Sequence, residues 1–282
     1  MDTQPTTTGR LLAETVATNG SRVAMRHKTY GLWQEISWRD YHKAVRALGA
    51  ALVDRGLAHG DRVAIIGDNC PEWVFIDMAV QSVGGVSVGV YATNAWEQVQ
   101  YVVNHCRARF LFVENEEQLD KWLQFRNEAP SLEGVVVWDT KGLREFTDPM
   151  VTALADLSAA GREADHRSPE LFDQRLAAGD PEDVAVLIYT SGTTGPPKGA
   201  MLTHTNVTWM AAAVADANPL FEKDAVLSFL PLCHIFERLF TVFIHIAHAY
   251  TVHFVEKADT VTDNMSEVSP TIGYAVPRIW EK

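Results

Sequence analysis

The sequence predicts an α/β protein with layered, mostly parallel β-sheets and helices on both sheet faces. Short apolar runs alternate with longer stretches in which apolar residues recur at three- and four-residue steps, a pattern typical of strand–helix–strand units. Right-handed crossovers between parallel strands place the helices on both faces. Apolar residues make up 47% of the 282 residues and charged residues 21%, which is globular composition.

A first α/β unit is predicted over residues 10–138, after a loose polar stretch at residues 1–9. It opens with a hairpin around Tyr30-Gly31, followed by a helix after the capping sequence Ser37–Asp40. The remaining elements alternate. The predicted strands are 23–28, 34–38, 62–67, 86–91, 109–113 and 135–138. The predicted helices are one that stops at Gly56, followed by 71–83, 94–106 and 116–128. The first of them has an apolar face made of Trp38, Tyr41, Val45, Leu48 and Leu52.

Residues 139–183 interrupt this alternation and predict a connecting segment with one or two surface helices. A second α/β unit is expected over 184–282, with strands at 184–189, 200–202, 225–229, 250–255 and 271–275. Helices are expected at 203–215 and 258–267, and residues 231–238 are expected to form a turn that enters a helix ending at about 246. Pro277 suits the first position of a helix, yet the sequence stops one turn later. A single helical turn is unstable alone, so we expect a fold that is incomplete at its C-terminus.

Bulk composition excludes several classes of protein. The net charge of −12 argues against nucleic acid as a partner. The three cysteines, Cys70, Cys106 and Cys233, form neither a disulfide framework nor a zinc spacing, which suits the cytoplasm. The N-terminus lacks the pattern of a signal peptide. The apolar stretch Leu239–Val255 predicts a buried helix followed by a strand.

The segment with the most chemistry is the loop Thr190–Gly199, which lies between two predicted strands. It contains four hydroxyl side chains, three glycines, two prolines and Lys198. Glycines allow backbone N–H groups to converge on an anion, while hydroxyls and a lysine add donors for phosphate. The candidate binding residues are Thr190, Ser191, Gly192, Thr193, Thr194, Gly195 and Lys198.

This loop differs from the P-loop of kinases, because Pro197 precedes Lys198 and Gly199 follows it. The sequence YTSGTTGPPKG at 189–199 instead resembles the signature of the adenylate-forming superfamily, which includes acyl-CoA synthetases, luciferases and peptide-synthetase adenylation domains. Further stretches resemble the long-chain and very-long-chain fatty acid CoA ligases. They are DNCPEW at 68–73, VYATN at 90–94 with EQV at 97–99, LPLCHIFER at 230–238 and AVPRIWEK at 275–282.

The resemblance implies a two-step reaction with ATP, Mg²⁺ and CoA. A fatty acid carboxylate forms an acyl-adenylate with loss of pyrophosphate, and the CoA thiol then displaces AMP. Three residues receive catalytic roles by resemblance: Thr190 and Lys198 at the β- and γ-phosphates, and His234 beside the adenylate. Residues 273–277 would line the acyl pocket. No resident protein–metal site is expected.

The family's adenine- and ribose-binding segments and the lysine of its small C-terminal lid domain lie later in the chain than Lys282. We therefore expect the 282-residue chain alone to be inactive or strongly impaired and, if truncated, to self-associate. Two alternatives remain open: a natural, non-catalytic nucleotide-binding or interaction protein, and a fatty acyl-AMP ligase with a carrier-protein acceptor. Peripheral membrane attachment is compatible with an insoluble acyl substrate.

Three further side-chain pairs allow either a chemical or a structural role. His245 and His248 have the spacing of a metal pair, although a core role is favoured because no third ligand stands nearby. Cys233 and His234 could form a nucleophile–base pair only in unusual geometry, since neighbouring residues do not face each other on a helix. The adjacent Glu237-Arg238 is either a solvated pair or a support for the preceding turn, and the structural role is favoured.

Overall fold

The computed structural model describes residues 5–190 and 195–275. Its strands are β1 (Val23–Thr29), β2 (Leu32–Ser37), β3 (Arg62–Ile66), β4 (Val86–Val90), β5 (Ala108–Val113), β6 (Gly134–Val137), β7 (Val151–Ala153), β8 (Val184–Thr190), β9 (Lys198–Thr203), β10 (Ala225–Ser228) and β11 (Thr251–Phe254). Within the described residues they form a seven-stranded sheet of order β7-β6-β5-β3-β4-β8-β9 and a four-stranded sheet of order β10-β11-β1-β2.

The helices are α1 (Thr8–Asn19), α2 (Trp38–Asp54), α3 (Pro71–Ser82), α4 (Trp96–Cys106), α5 (Glu116–Phe125), α6 (Leu154–Arg167), α7 (Pro169–Ala178), α8 (His204–Ala217), α9 (Ile235–Arg238), α10 (His245–His248) and α11 (Val261–Val268). A π-helical segment, Leu239–Ile244, joins α9 to α10. Short 3₁₀ turns lie at Arg126–Glu128 and Ala258–Thr260.

The predicted fold class is confirmed by the strand pairing. All neighbours in the larger sheet are parallel except β8 and β9, which are antiparallel. In the smaller sheet β1 and β2 form the predicted hairpin, and β11 runs parallel to both β1 and β10. Each sheet combines strands from before and after residues 139–183, while the division of the chain at those residues stays a prediction.

Helix α2 shows how the sequence pattern becomes packing. Asp40 N–H donates to Ser37 Oγ at 3.1 Å, which satisfies one of the unpaired N–H groups at the helix start. The predicted apolar face of α2 is buried throughout. Helix α6 packs so closely on α2 that a Cβ at Gly161 would lie 1.9 Å from the carbonyl oxygen of Ala47. Residues 154–167 therefore belong to the packed core and not only to the surface.

Three predictions are wrong. The N-terminal region is ordered from α1 onward, because Thr7 caps the helix by accepting a hydrogen bond from Arg10 N–H at 3.3 Å. Residues 271–275 form no strand, since the N–H groups of Thr271 and Ile272 both donate to the carbonyl of Ala225 and no ladder follows. Residues 139–183, expected to be a connecting segment with one or two surface helices, also contain strand β7 of the larger sheet. The predicted helix at Pro277 lies outside the described residues.

Candidate functional site

A cavity of about 530 Å³ opens where β4 and β8 end. Carboxyl ends of neighbouring parallel strands are the usual place for ligands in open α/β sheets. Its walls present hydroxyl, amide and imidazole groups together with a few apolar side chains. The lining residues are Tyr91, Thr93, Asn94, Gln98, Val102, Ile188, Tyr189, Thr190, Pro197, His234 and Ile235.

The loop singled out in the sequence connects β8 to β9 at this cavity. Thr190 is the last residue of β8, and it pairs with Lys198, the first residue of β9. Both side chains are exposed, and no hydrogen bond or ion pair joins Lys198 Nζ to another residue in the described ranges. Gly195 has φ +91°, a conformation that disfavours side chains. Ser191, Gly192, Thr193 and Thr194 lie outside the described residues, so their predicted roles stay predictions.

His234 reaches the same cavity from the smaller sheet. It ends a tight turn, in which its N–H donates to the carbonyl of Pro231 at 2.9 Å. Its Nδ1 accepts from Phe236 N–H at 3.2 Å and so caps α9. The turn approaches β4 so closely that a Cβ at Gly89 would lie 2.7 Å from Cys233 Cα. Absence of a side chain at Gly89 thus allows the turn to place His234 in the wall of the cavity that Thr190 also lines.

The turn before His234 is held by Asn69, which follows β3. Its Nδ2 donates to the carbonyl of Leu230 at 2.6 Å and to Ser228 Oγ at 2.9 Å, while its Oδ1 accepts from Leu232 N–H at 3.1 Å. The single side chain of Asn69 therefore makes hydrogen bonds to backbone groups at two positions of the turn. The sequence segment at 68–73 contains Asn69, but its pattern alone does not reveal this contact across the fold.

Glu237 supports the same turn from beneath and is fully buried. Its Oε1 accepts from Ser228 Oγ and Thr241 Oγ1, each at 2.7 Å, and from Tyr274 OH at 3.0 Å. Its Oε2 accepts from Leu230 N–H at 3.2 Å. Burial raises the pKa of Glu237 to about 7, against the opposing effect of these donors. Because Glu237 lies in the interior, it supports the turn and is not half of a solvated pair.

The alternative chemical pairs find little support. Burial raises the pKa of the Cys233 thiol to about 12, so the thiolate needed for nucleophilic attack is scarce at neutral pH. His245 is buried, and its Nε2 lies 3.0 Å from the carbonyl oxygen of Ala24. Across the described part of the chain, no group of three or more His, Cys, Asp or Glu side chains is placed to hold a metal.

The profile of the AMP-binding enzyme family matches residues 12–282, including the loop at 190–199 and the turn that presents His234. This chain belongs to the AMP-binding enzyme family. The resemblance inferred from the loop and the flanking motifs is thereby confirmed at the family level. The individual roles of Thr190, Lys198 and His234 stay predictions.

Similar members of the AMP-binding enzyme family include two long-chain-fatty-acid–CoA ligases named ACSBG2. The one from Xenopus laevis is 33% identical over 99% of this chain and 38% of its own length. The one from Homo sapiens is 34% identical over 99% of this chain and 42% of its own length. The chain thus spans only 38% and 42% of the length of these two curated relatives.

Two solved structures share the fold of this chain. The anthranilate CoA ligase AuaEII, in complex with anthranoyl-AMP, has a TM-score of 0.82 at 23% identity, covering 97% of this chain and 50% of that one. The N-terminal domain of FACL13 from Mycobacterium tuberculosis has a TM-score of 0.81 at 20% identity, covering 98% of this chain and 64% of that one. At these identities the likeness establishes the fold alone.

Sequence reasoning assigned no role to the cavity wall formed by the connection from β4 to α4. Tyr91, Thr93, Asn94 and Gln98 all line the cavity and come from the stretches at 90–94 and 97–99 that resemble the ligases. Their position directly after a buried strand was the available signal, because ligands gather at that edge.

The described helices include none with both the length and the apolar character that a membrane span requires.

Proposed function

We propose that this chain is the N-terminal part of an ATP-dependent long-chain fatty acid–CoA ligase. The observation that carries the proposal is the single cavity lined by Thr190, Pro197 and His234. The cavity brings together the loop at 190–199 and the turn that presents His234, which belongs to the ligase-like motif at 230–238. Both lie where β4 and β8 end. Two relatives named long-chain-fatty-acid–CoA ligases support the choice of substrate.

In the proposed reaction, a carboxylate oxygen of the fatty acid attacks the α-phosphorus of ATP. The bond from that phosphorus to the bridging oxygen breaks, and pyrophosphate leaves. The CoA thiol then loses its proton to solvent, its sulfur attacks the acyl carbon, and AMP leaves with the electrons of the broken C–O bond. The loop and Lys198 would stabilise negative charge on the departing pyrophosphate, and His234 would contact the adenylate.

Magnesium fits this site as a companion of ATP and not as a resident ion. Among the described residues that line the cavity there is no carboxylate, whereas Mg²⁺ retains several waters and is commonly held by substrate phosphates with few protein ligands. Oxygen donors are available from the Thr190 hydroxyl and the Asn94 side-chain amide. When bound, the ion would help to neutralise the phosphate charge.

We propose further that the 282-residue chain does not complete this reaction alone. It spans 38% and 42% of the two ACSBG2 relatives, and the resemblance assigns ribose, adenine and transition-state contacts to later segments. Lost charge-assisted contacts cost about 1.5–3 kcal/mol each, and residues that act as a unit lose more together. Palmitate-dependent ATP–pyrophosphate exchange should therefore be absent or slight, and robust exchange would contradict this proposal.

The competing proposal is a non-catalytic protein that binds nucleotide or another protein. A reading frame that continues past Lys282 with the missing ligase motifs favours the enzyme, while a stop codon with an expressed protein favours the alternative. A fatty acyl-AMP ligase would differ only in the acceptor thiol.

For the enzyme, we propose a cytoplasmic location, with peripheral membrane attachment testable by vesicle co-sedimentation. Self-association of the 282-residue chain is testable by light scattering.

A further inference from the structure

Helix α4 contacts both ends of the loop between β8 and β9. Tyr101 OH donates to the carbonyl oxygen of Pro197 at 2.9 Å. One helical turn later, His105 Nδ1 lies 2.7 Å from Tyr189 OH. Tyr189 directly precedes Thr190, and Pro197 directly precedes Lys198. One face of α4 therefore touches the residue before Thr190 and the residue before Lys198, two of the phosphate-binding candidates.

The two side chains of α4 also support each other. Tyr101 and His105 are four residues apart, a spacing that places them on the same helix face. Their rings stack with centroids 5.3 Å apart and planes inclined by 26°. The ring of Tyr189 meets His105 edge-on at 5.7 Å. Tyr101, His105 and Tyr189 thus form a continuous aromatic contact from α4 to the entry of the loop.

Tyr189 also covers the strand on the other side of the loop. A Cβ at Gly199 would lie 3.3 Å from Tyr189 Cζ, so the ring lies directly over the backbone of β9. The pairing of Tyr189 with Gly199 and of Thr190 with Lys198 continues the ladder to the base of the loop. The contacts from α4 are therefore additional to the ladder and act where it ends.

We propose that Tyr101 and His105 are positioning residues that hold the two ends of the phosphate-binding loop for its anion. The inference rests on the proposed function of that loop. Contacts that fix Tyr189 and Pro197 also fix the neighbouring Thr190 and Lys198, and groups positioned in advance lose less conformational freedom when the anion binds. Because Thr93, Asn94 and Gln98 lead into or begin α4 and line the cavity, the same structural unit forms one wall and fixes the loop opposite it.

The test combines two measurements on the 282-residue chain. Hydrogen exchange without ligand reports the mobility of the loop ends at Tyr189, Thr190, Lys198 and Gly199. Calorimetric titration with magnesium pyrophosphate reports anion affinity. The variants are Y101F, which removes one hydroxyl, H105A, and H105N, whose amide oxygen can replace Nδ1 as acceptor. Y30F alters a tyrosine that is 91% exposed and serves as control.

We expect Y101F and H105A each to weaken pyrophosphate binding by about 3- to 10-fold, the range expected for a neutral hydrogen bond. Exchange at the loop ends should rise in both, with the urea midpoint unchanged. H105N keeps an acceptor for Tyr189 but loses the ring contacts, so it should fall between the wild type and H105A, and Y30F should match the wild type. Unchanged exchange and affinity in Y101F and H105A overturn the inference. If the wild type binds no pyrophosphate, the phosphate role of the loop fails, and unchanged exchange in Y101F and H105A would separately show that Tyr101 and His105 do not hold it.

Discussion

Asp77 and Arg238 lie 161 residues apart in the sequence and form an ion pair with fully buried side chains. Arg238 Nε is 3.1 Å from Asp77 Oδ2, and Arg238 Nη2 also donates to Asp77 Oδ1. The guanidinium lies over the Trp73 ring at 5.1 Å, and Gln81 Nε2 donates to Asp77 Oδ1 at 2.8 Å. The pair joins α3 to the short helix α9 that His234 caps.

Removing one partner of this pair should strongly destabilise the fold. D77A or R238A would leave a buried charge without its partner, which costs about 3–5 kcal/mol in comparable sites. The double variant should lose less than the sum of the two single losses. Urea unfolding measures each value. R26A, in the more exposed pair with Glu35, is the control and should cost under about 1 kcal/mol. Single variants as mild as R26A would contradict a structural role for the pair.

Glu237 predicts a specific pH dependence of stability. Burial raises its pKa to about 7 in the folded protein, while the unfolded chain has an ordinary value near 4.5. The protonated group therefore favours the folded state below pH 4.5, and this contribution, on the order of 3 kcal/mol, is lost as pH rises through 7. The glutamine of E237Q cannot ionise. Its amide oxygen can accept from Leu230 N–H, and its amide N–H groups can donate to the neighbouring hydroxyl oxygens.

The measurement is urea unfolding of wild type and E237Q at pH 5, 6 and 7. Stability of E237Q relative to wild type should increase across this range. E170Q, which alters an exposed side chain, is the control. If the difference in unfolding free energy between E237Q and wild type stays constant from pH 5 to 7, Glu237 does not titrate as inferred.

The buried His245 predicts that stability falls as the pH is lowered, a trend opposite in sign to that of Glu237. Burial lowers its pKa to about 3, and its ring lies 4.4 Å from that of Trp38. Within the described residues its Nδ1 has no hydrogen-bond partner, so protonation would place a charge in the core. Only the unfolded chain binds the proton between about pH 6.5 and 3, so this stability is lost as pH falls, at about 1.4 kcal/mol per pH unit.

H245Q separates this effect from that of Glu237. The stability advantage of wild type over H245Q should shrink as pH falls from 6.5 to 4.5, measured by urea unfolding. H166Q, at an exposed position on α6, should follow the wild type throughout. An advantage that stays constant with pH would contradict the buried, neutral imidazole.

Local sequence patterns were sufficient for most elements but not for the contacts that shape the site. Capping residues and apolar spacing predicted α2, and Tyr30-Gly31 predicted the β1–β2 hairpin. The loop and His234 were identified from motifs, and the fold brings Thr190 and His234 to one cavity. Asn69, Asp77 and Tyr101 could not be assigned in this way, because their partners at residues 230, 238 and 197 become neighbours only when the sheets and helices pack. Residues 271–275 have strand composition and begin beside the edge strand β10, but the N–H groups of Thr271 and Ile272 both donate to Ala225, and within the described residues no ladder forms.

His234 should separate a structural from a ligand-binding contribution. H234A loses the cap of α9 and should cost about 1 kcal/mol in urea unfolding, whereas H234N can retain the cap through its amide oxygen. Both variants should weaken binding of a non-hydrolysable palmitoyl-adenylate analogue by about 3- to 10-fold, with pyrophosphate binding unchanged. Wild-type affinity of H234N for the analogue would place His234 outside the adenylate site.

The central claim is that the loop between β8 and β9 binds the phosphate chain of ATP. Its most direct test is calorimetric titration of magnesium pyrophosphate into the 282-residue chain, with K198A and, as control, K141A, whose side chain is 85% exposed. We predict saturable binding by wild type and K141A, weakened about 10-fold or more in K198A and reduced by salt. Absence of saturable binding by the wild type, or equal affinity of K198A and K141A, would contradict the claim.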